Sequence, residues 1–255
     1  MSDSRIVYFG AKSAAKSGVR SIYKKLFKAL GPQGWWPVTE VHGRLPVYRP
    51  LFYGPHTCRA MFEICAGAIL TQNTAWGNAL TALTGLNGAG VMSPLKLSAL
   101  PSAELCRLIR SSGFYRQKAE RLKIFSRYII SRHPEGLEKW FLDATPDGLR
   151  AELLTIKGIG PETADSMVLY AGGKAKFVVD AYTHRVFGRL GFIPGTYAGL
   201  QEGFETALPR DHRVYNEYHA LIVALGKNYC RKNKPVCAQC PLKSACSTGR
   251  IAKKG

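Results

Sequence analysis

Four cysteines near the carboxyl end of the chain place the strongest constraint on its fold. Their spacing is C-x6-C-x2-C-x5-C within 17 residues, and they are Cys230, Cys237, Cys240 and Cys246. Thiolates this close in sequence can converge on one metal centre, which is either zinc or a [4Fe–4S] cluster. Zinc sites usually contain two short motifs with two ligands each, such as CxxC, whereas this segment has a single CxxC motif. The spacing therefore favours the iron–sulfur cluster.

The total of seven cysteines is odd, and a disulfide framework is not expected in a reducing compartment. Cys58, Cys65 and Cys106 lie in apolar helical stripes, and we expect them in the core. The amino-terminal residues lack the apolar segment of a signal peptide, and no later run approaches the length of a membrane span. We therefore expect a cytoplasmic protein without membrane attachment.

The charge of the chain indicates an acidic partner. Lys and Arg number 36 against 17 Asp and Glu, which gives a formal net charge of +19. The excess is concentrated at the two ends, because residues 226–255 hold eight basic residues and no acid, and residues 1–30 hold seven against one. Such a field attracts polyanions, of which nucleic acid is the commonest inside a cell. The 46% of apolar residues is ample for a folded core.

Apolar residues recur with helical spacing along most of the chain, and the alternation typical of strands is nearly absent. Glycine and proline mark the helix ends. The predicted helices span residues 58–70, 75–86, 102–111, 115–132, 137–142, 146–154, 161–171, 181–190, 198–207 and 211–228. A shorter stripe from Ile22 to Leu30 ends at Gly31-Pro32.

These helices predict an all-α protein. Residues 1–20 are interpreted as a loose basic arm.

A helix-hairpin-helix motif is predicted within residues 153–171. Its turn reads Lys157-Gly158-Ile159-Gly160, and Pro161 then suits the first turn of a helix because its missing N–H costs nothing there. The backbone amides of such a turn can hold a phosphate without reading the base sequence. An ordinary helix–helix turn is the alternative. In a strongly basic chain we expect Lys157, Gly158 and Gly160 to contact DNA.

The cysteine spacing and the hairpin resemble those of endonuclease III and its relatives, the iron–sulfur DNA glycosylases of the helix-hairpin-helix superfamily. Three further segments are similar to the 3-methyladenine DNA glycosylase III branch: Trp35-Trp36-Pro37, Leu70-Thr71-Gln72-Asn73-Thr74 and Glu162-Thr163-Ala164-Asp165. The resemblance runs from about residue 22 to residue 246 and implies a monomeric enzyme of base excision repair that acts on double-stranded DNA in the nucleoid. It also implies a [4Fe–4S] cluster, which would hold together a basic loop that binds phosphate. The fold that it implies has two helical domains that flank a DNA-binding cleft. Residues 58–172 would form a helical barrel, and residues 21–57 together with 173–255 would form a second domain that carries the cysteines.

The resemblance implies that Asp180 is the catalytic carboxylate, because it follows Gly160 by twenty residues in a Val-Asp context. Cleavage of an N-glycosidic bond builds up positive charge on the sugar, which a carboxylate stabilises while it orients or deprotonates water. Asp180 also suits the N-cap of the helix that follows. The two roles are compatible, since a cap holds the carboxylate rigidly.

Glu162 departs from the endonuclease III pattern, in which a lysine two residues after the second hairpin glycine forms a Schiff base with the sugar. A carboxylate cannot form an imine. We therefore predict a monofunctional glycosylase in which water is the nucleophile. Glu162 is a second candidate for a catalytic residue and would bind a flipped base or a water. An acid in a first helical turn is also favoured by the helix dipole alone. Lys157, Lys174 or Lys176 would have to replace the missing amine in a bifunctional enzyme.

Extrusion of the target base leaves a gap in the stack that a side chain must fill. The resemblance makes Gln72 the leading wedge, with Phe114 or Tyr115 on the opposite strand. Trp35 and Trp36 are candidates for the base pocket, because their rings would bind a cationic alkylpurine, although at least one is expected in the core. Lys118 and Arg121 are candidate phosphate contacts or simply solvated residues.

Three functions stay open at this point. The first is excision of an alkylated purine such as 3-methyladenine. The second is another glycosylase of the same fold, either a uracil or thymine mismatch enzyme or a bifunctional endonuclease III-type glycosylase/AP lyase. The third is a non-catalytic module that binds DNA lesions.

Overall fold

The structure is a computed structural model and describes residues 7–8, 13–40, 45–54, 56–193 and 195–251. It is mostly helical, as predicted. The helices are α1 (Ser13–Leu30), α2 (Cys58–Leu70), α3 (Trp76–Gly88), α4 (Pro94–Ala99), α5 (Ser102–Leu108), α6 (Tyr115–Arg132), α7 (Leu137–Asp143), α8 (Pro146–Leu154), α9 (Pro161–Ser166), α10 (Ala181–Leu190), α11 (Tyr197–Ala207), α12 (His212–Asn228) and α13 (Ser247–Ile251). A π-helical turn, Met167–Ala171, continues α9. Among these residues no helix is long and apolar enough to cross a membrane.

In the part of the chain that the structure describes, four two-residue strands form two small ladders: β1 (Val7–Tyr8), β2 (Val38–Thr39), β3 (Pro46–Val47) and β4 (Phe192–Ile193). Strand β1 pairs with β4 in parallel, and β2 pairs with β3 in antiparallel register. The chain divides into two compact units. Unit 1 comprises residues 1–35 and 175–255, and unit 2 comprises residues 36–174.

Unit 1 is built from two segments that are far apart in sequence. Helix α1 packs on α11 and α12, with Val19, Ile22 and Leu26 buried along one face at helical spacing. The hydroxyl of Tyr218 on α12 donates to the carbonyl of Val19 at 2.9 Å, which fixes α1 against α12. Of the predicted basic arm 1–20, residues 13–20 are helical instead, because Val19 already belongs to the buried face. Residues 1–6 and 9–12 lie outside the described residues.

Unit 2 is arranged around α2, whose residues 60–70 are all buried. Helix α2 contacts α3, α6, α7, β2 and the π-helical turn. Cys65 lies in this core, as expected, whereas Cys106 on α5 is only half-buried. Cys58 is exposed because it is the first residue of α2 and precedes the buried stretch. The structure groups residues 36–54 with unit 2, whereas the predicted boundary placed them with the cysteine-bearing domain. The reason is that β2 packs directly on α2.

Candidate nucleic-acid interface and catalytic carboxylate

The hairpin turn, residues 155–160, joins α8 to α9 within unit 2. Gly158 has φ +91°, and a Cβ atom there would lie 2.5 Å from Cγ of Arg121. Both the backbone conformation and the close approach of Arg121 therefore require glycine. Gly160 has ordinary extended angles and open space around its Cα, and Pro161 begins α9. The second glycine is thus left accessible for an approaching backbone.

An ion pair fixes the two helices of the hairpin. Nε of Arg150 on α8 lies 2.6 Å from Oδ1 of Asp165 on α9, and the Asp165 side chain is fully buried. A buried carboxylate is costly unless it is paired, so the pair holds the two helices in one arrangement. Glu162, in the first turn of α9, is exposed to solvent.

Gln72 is directed at the hairpin and is only partly exposed. Its Nε2 donates to the carbonyl of Gly158 at 3.0 Å and to Oγ1 of Thr163 at 2.9 Å, and its Oε1 accepts from Arg121. In the structure the amide of this predicted wedge therefore braces the hairpin. The next residue, Asn73, is exposed and has φ +52°.

Phe114 is the N-cap residue of α6 and is 65% exposed, with φ +45°. The structure thus places it outside the core, whereas Tyr115 is half-buried. Lys157 is also exposed and pairs with Glu120 at 2.9 Å. Such an exposed pair contributes little, so the ammonium can exchange its partner for a phosphate.

Lys118 does not reach solvent and is not a phosphate contact. Only 1% of it is exposed, because the α6 face on which it lies packs into unit 2. Burial and the neighbouring Arg121 lower the pKa of Lys118 to about 8. Arg121 is half-buried and is used to hold Gln72.

An aromatic cluster in unit 2 surrounds Trp36. The ring of Trp36 makes an edge contact with Trp76 at a centroid distance of 5.3 Å and lies 5.4 Å from Tyr170. Nε1 of Trp76 donates to the hydroxyl of Tyr48 at 2.7 Å. Trp36 itself is buried, as expected for at least one of the two tryptophans, whereas Trp35 is half-buried and belongs to unit 1.

Sequence reasoning missed Trp76 and Tyr48, although both are more exposed than Trp36. The available signal was the position of Trp76, two residues after the Leu-Thr-Gln-Asn-Thr segment. No pattern in the sequence points to Tyr48, because only the β2–β3 ladder brings it to Trp76.

A buried carboxylate anchors strand β2, which begins two residues after Trp36. Oε1 of Glu63 accepts from the amide and hydroxyl of Thr39, at 3.1 and 2.6 Å, and from Asn87 at 3.2 Å. Arg59 lies 3.6 Å from its other oxygen. Because Thr39 follows Trp36 by three residues, this network fixes the position of the indole.

Asp180, in unit 1, is the N-cap of α10 and is 9% exposed. Its Oδ1 accepts from the amide of Thr183 at 2.7 Å and from the Thr183 hydroxyl at 2.9 Å. Nε2 of His219 on α12 lies 3.6 Å from Oδ2. Burial raises the pKa of Asp180, but His219 and then Thr183 outweigh it, and the pKa falls below its ordinary value. The carboxylate is therefore held in its ionised form.

The four predicted metal ligands lie in the segment that follows α12, and none of the four forms a disulfide. Burial, and then the nearby thiols of Cys230, Cys246 and Cys237, raise the pKa of Cys240. Two of the four sulfurs contact the same residue, because Sγ of Cys246 donates to the carbonyl of Arg189 at 3.2 Å and Sγ of Cys230 lies 3.4 Å from Nη1 of Arg189. The described residues contain no group of three or more His, Cys, Asp or Glu side chains already placed as a metal site.

The cysteine loop is bound to α10 through Arg189. Its Nη1 lies 3.4 Å from Sγ of Cys230, and it donates to the carbonyls of Arg231 and Lys232 at 2.7 and 3.0 Å. Arg185 on the same helix donates to the carbonyl of Cys230 at 2.8 Å.

A glycine-containing hairpin between α8 and α9, on a strongly basic chain, is typical of DNA-binding proteins of the helix-hairpin-helix class. The chain belongs to the HhH-GPD superfamily of base excision DNA repair proteins, whose family model matches residues 66–210. It is a DNA glycosylase and binds DNA.

Three relatives illustrate the similarity. The chain is 40% identical over 230 residues to "Putative DNA repair glycosylase MJ1434" of Methanocaldococcus jannaschii, covering 89% of this chain and 95% of that protein. An endonuclease III–DNA complex shares the fold, with a TM-score of 0.72, 23% identity and coverage of 94% and 99%. The 3-methyladenine DNA glycosylase MagIII of H. pylori, bound to 1,N6-ethenoadenine, gives a TM-score of 0.65, 26% identity and coverage of 84% and 97%.

Proposed function

We propose that this protein is a monofunctional DNA glycosylase that, as a monomer, removes alkylated purines from double-stranded DNA. The observation that carries the monofunctional assignment is the side chain two residues after Gly160. This position holds Glu162, a carboxylate exposed at the start of α9, where endonuclease III carries the Schiff-base lysine. Without an amine at this point, water is the group that attacks the sugar.

The lysines near the hairpin do not replace that amine. Lys157 is exposed and paired with Glu120. Nζ of Lys174 donates to the carbonyl of Leu142 at 3.1 Å, and Lys118, whose pKa is lowered to about 8, is enclosed by protein. Nζ of Lys176 lies 3.5 Å from Oε2 of Glu205. Each of these amines thus contacts a protein group, and none of them stands two residues after Gly160, where endonuclease III carries its nucleophile.

The ionisation of Asp180 supports a cationic substrate. Because its pKa is below the ordinary value, this carboxyl group is a poor proton donor and a weak base. A neutral base needs a proton, or an equivalent hydrogen bond, before it can leave. A purine alkylated at a ring nitrogen already carries positive charge and leaves without one, so a carboxylate that only stabilises the sugar cation suffices.

The aromatic cluster supports the same substrate class. Trp76 and Tyr48 present rings that are partly exposed, on a base formed by Trp36 and Tyr170. A positively charged purine binds aromatic faces more strongly than a neutral pyrimidine does, through cation–π attraction. The similarity to MagIII points in the same direction.

In the proposed reaction the N-glycosidic bond breaks and its electron pair leaves with the base, which becomes neutral. Asp180 stabilises the positive charge on the sugar by electrostatics. Water adds to the anomeric carbon and releases a proton to solvent, which gives an abasic site. The backbone amides of the hairpin hold the phosphates, and the strand is not cut.

We also propose that the four loop cysteines hold a [4Fe–4S] cluster. The donor set fits, because the four cysteines lie within 17 residues, Cys230 and Cys246 both contact Arg189, and the guanidinium of Arg189 would offset the negative charge of the thiolates. When bound, the cluster would cross-link the four cysteines and so stabilise the basic loop. Cys237→Ser is expected to remove the visible absorption of the purified protein and to lower its melting temperature, whereas Cys106→Ser leaves both unchanged. Retention of the absorption and iron content by Cys237→Ser would contradict the assignment.

The function is tested with three duplexes, which contain an alkylated purine, a uracil mismatch or an abasic site. Strands are resolved with and without alkali, and parallel samples are treated with borohydride to trap any imine. Cleavage of the alkylated duplex only after alkali, with no trapped complex, is the expected result. Cleavage without alkali, or trapping on the abasic duplex, would show that a lysine acts as nucleophile. Exclusive activity on the mismatch would assign the second candidate substrate instead.

A further inference from the structure

Helix α1 carries a basic face on the surface of unit 1. Its exposed cations are Arg20, Lys24, Lys25 and Lys28, and we name this set the α1 basic face. Because each residue of a helix is turned by about 100° from the one before it, Lys24 and Lys28 project almost opposite to Ile22 and Leu26, the buried residues two positions earlier. The α1 basic face therefore points away from the core of unit 1.

The charges of this face are arranged at a cost to the helix itself. Arg20, Lys24 and Lys28 follow one another at intervals of four residues, so like charges are neighbours on the helix surface, which destabilises a helix. Lys139 of unit 2 shows the opposite arrangement, since it pairs with Asp143, four residues later, at 2.6 Å. In the described part of the chain no carboxylate forms such a pair with Lys24 or Lys28. The stability of α1 therefore does not explain its charges.

A groove of 760 Å³ follows this face and indicates the kind of ligand that it suits. Every described residue that lines the groove is a lysine, an arginine or a serine. Pockets for small molecules are mostly apolar, and the centres of protein–protein interfaces are depleted of charged residues. Lysine, arginine and serine side chains are instead the groups that contact phosphates in protein–DNA complexes. The composition of the groove therefore favours the backbone of a nucleic acid over a small molecule or an acidic protein.

Helix α12 separates the α1 basic face from the candidate catalytic carboxylate. Tyr218 bonds to α1 through the carbonyl of Val19, and the next residue, His219, faces Asp180. The α1 basic face lies on the far side of α1 from α12, so two helix diameters, about 20 Å, separate its cations from Asp180. A duplex rises by 3.4 Å for each base pair, and a phosphate bound there is therefore about six base pairs from the nucleotide at Asp180.

We propose that the α1 basic face binds the backbone of the DNA that flanks the damaged nucleotide, on one side of that nucleotide only. The inference rests on the proposed function in one respect, namely that the damaged nucleotide lies at Asp180. One side is contacted because the face belongs to a single helix, which lies to one side of this carboxylate. Contacts of lysine with phosphate carry no information on the base sequence. The α1 basic face therefore raises DNA affinity without touching the reacting atoms.

The experiment compares two duplexes of equal length that differ in the position of a stable abasic-site analogue. The long arm lies on the 5′ side of the analogue in one duplex and on the 3′ side in the other, and each short arm of about four base pairs ends before the proposed contact. The two duplexes carry the same total charge, so a difference in affinity reports contacts on one side. Wild type is expected to bind one of them about tenfold more tightly in a fluorescence anisotropy titration. Equal binding of both duplexes by wild type would overturn the proposal.

Two matched variants assign this preference to α1. Lys24→Glu/Lys28→Glu is expected to reduce it to less than about twofold, whereas Arg107→Glu/Arg127→Glu, which makes the same change in net charge on unit 2, should retain it. An undiminished preference in Lys24→Glu/Lys28→Glu would refute the assignment.

Lys24→Gln/Lys28→Gln keeps the test valid if the glutamate variant does not fold, because glutamine is a comparable helix former and adds no acid. It should lose most of the preference as well, and full retention by this variant would count against the proposal. The outcome for the proposed function is separate, since binding is measured without base release. Failure of the wild type to release an alkylated purine, with the preference intact, would reject the proposed function and leave the binding surface established.

Discussion

Thr183 donates both its backbone amide and its hydroxyl to the same oxygen of Asp180, Oδ1, at 2.7 and 2.9 Å. The other oxygen, Oδ2, faces His219. The helix cap and the candidate catalytic group are thus one side chain with its two oxygens in different roles. Stability and activity at this position can be separated, because the cap needs an oxygen acceptor whereas the chemistry needs a charge.

Asp180→Asn is therefore expected to fold with a melting temperature only a little below that of wild type. Asparagine is an equally good N-cap, but it lacks the charge that lowers the pKa of Asp180 and stabilises the fold. Base release should fall by about 10²–10⁴-fold, because the amide carries no charge to stabilise the sugar cation. Single-turnover release and duplex affinity are measured on the same preparation. Unchanged release would show that Asp180 is only a cap, and the protein would then need another catalytic group.

The acid limb of the pH profile follows from the lowered pKa of Asp180. Its folded-state pKa is below the ordinary value of 3.8, so the unfolded chain takes up the proton first as the pH falls. The free energy by which ionised Asp180 stabilises the fold is therefore fully present above about pH 5. It is lost as the pH falls through the pKa that Asp180 has in the folded protein. Base release should therefore not decline through this group between pH 7 and pH 5.

Thr183→Val provides the matched test of that profile. It removes the hydroxyl donor and keeps the backbone amide, so the pKa of Asp180 should rise and the acid limb should move to higher pH. Thr206→Val removes an exposed threonine hydroxyl that bonds only to carbonyls of its own helix, and should leave the profile unchanged. An identical acid limb in Thr183→Val and wild type would refute the assignment.

Gly158→Ala is expected to destabilise the hairpin by about 1–3 kcal/mol, because alanine is strained at a positive φ and its Cβ would displace Arg121 from Gln72. Gly160→Ala is the control, since its φ is ordinary and nothing lies within 4 Å of the new methyl group. Thermal melting should separate the two variants. Equal melting temperatures would mean that the close approach of Arg121 does not constrain the turn.

Gly67→Ala tests the aromatic cluster. The added Cβ would lie 2.9 Å from Cζ2 of Trp36, so the indole must move. We expect a loss of about 1–3 kcal/mol in unfolding free energy, as for other overpacked cores, and slower release of an alkylated purine. Gly77→Ala, with open space around it in α3, should leave both unchanged. Full activity of Gly67→Ala on alkylated DNA would argue against a pocket built on Trp36.

Helix α1 carries five basic residues and no acid, and its exposed face includes Lys24 and Lys28. Unit 1 as a whole holds 20 Lys and Arg against 6 Asp and Glu. If this face binds phosphate, Lys24→Glu/Lys28→Glu should reduce the slope of log affinity against log salt by about 0.9 for each phosphate that is no longer neutralised. Arg107→Glu/Arg127→Glu makes the same change in net charge on unit 2 and should have a smaller effect. Equal slopes for both double variants would show that DNA affinity depends on the net charge of the protein and not on the exposed face of α1.

The helices could be predicted from the sequence because their ends carry local signals. Ser, Thr or Asp caps and Pro at the first helical position mark them, and most predicted bounds agree with the structure within two residues. Helix α4 was missed, although Ser93 and Pro94 form such a start, because six residues are too few to show periodicity. The fold class was therefore accessible from local patterns and is confirmed.

The candidate site was only partly accessible from the sequence. Asp180 and the hairpin glycines stand in motifs of fixed spacing. The positions of Lys118, His219 and Tyr48 depend on tertiary contacts that no local pattern encodes. Gln72 matched a family segment, but its direction is set by hydrogen bonds to residues 86 and 91 positions later in the chain.

The pairing of Tyr218 with Val19 has a consequence for how the protein is made. Residues 36–174 emerge from the ribosome as one continuous segment, and unit 2 can fold while synthesis continues. The apolar face of α1, although translated first, must wait for α11 and α12 before it is covered. We expect a chain stopped near residue 174 to contain a folded unit 2 and a helix α1 whose apolar face is still exposed to solvent. Chaperones can bind this face until the final third of the protein has been translated.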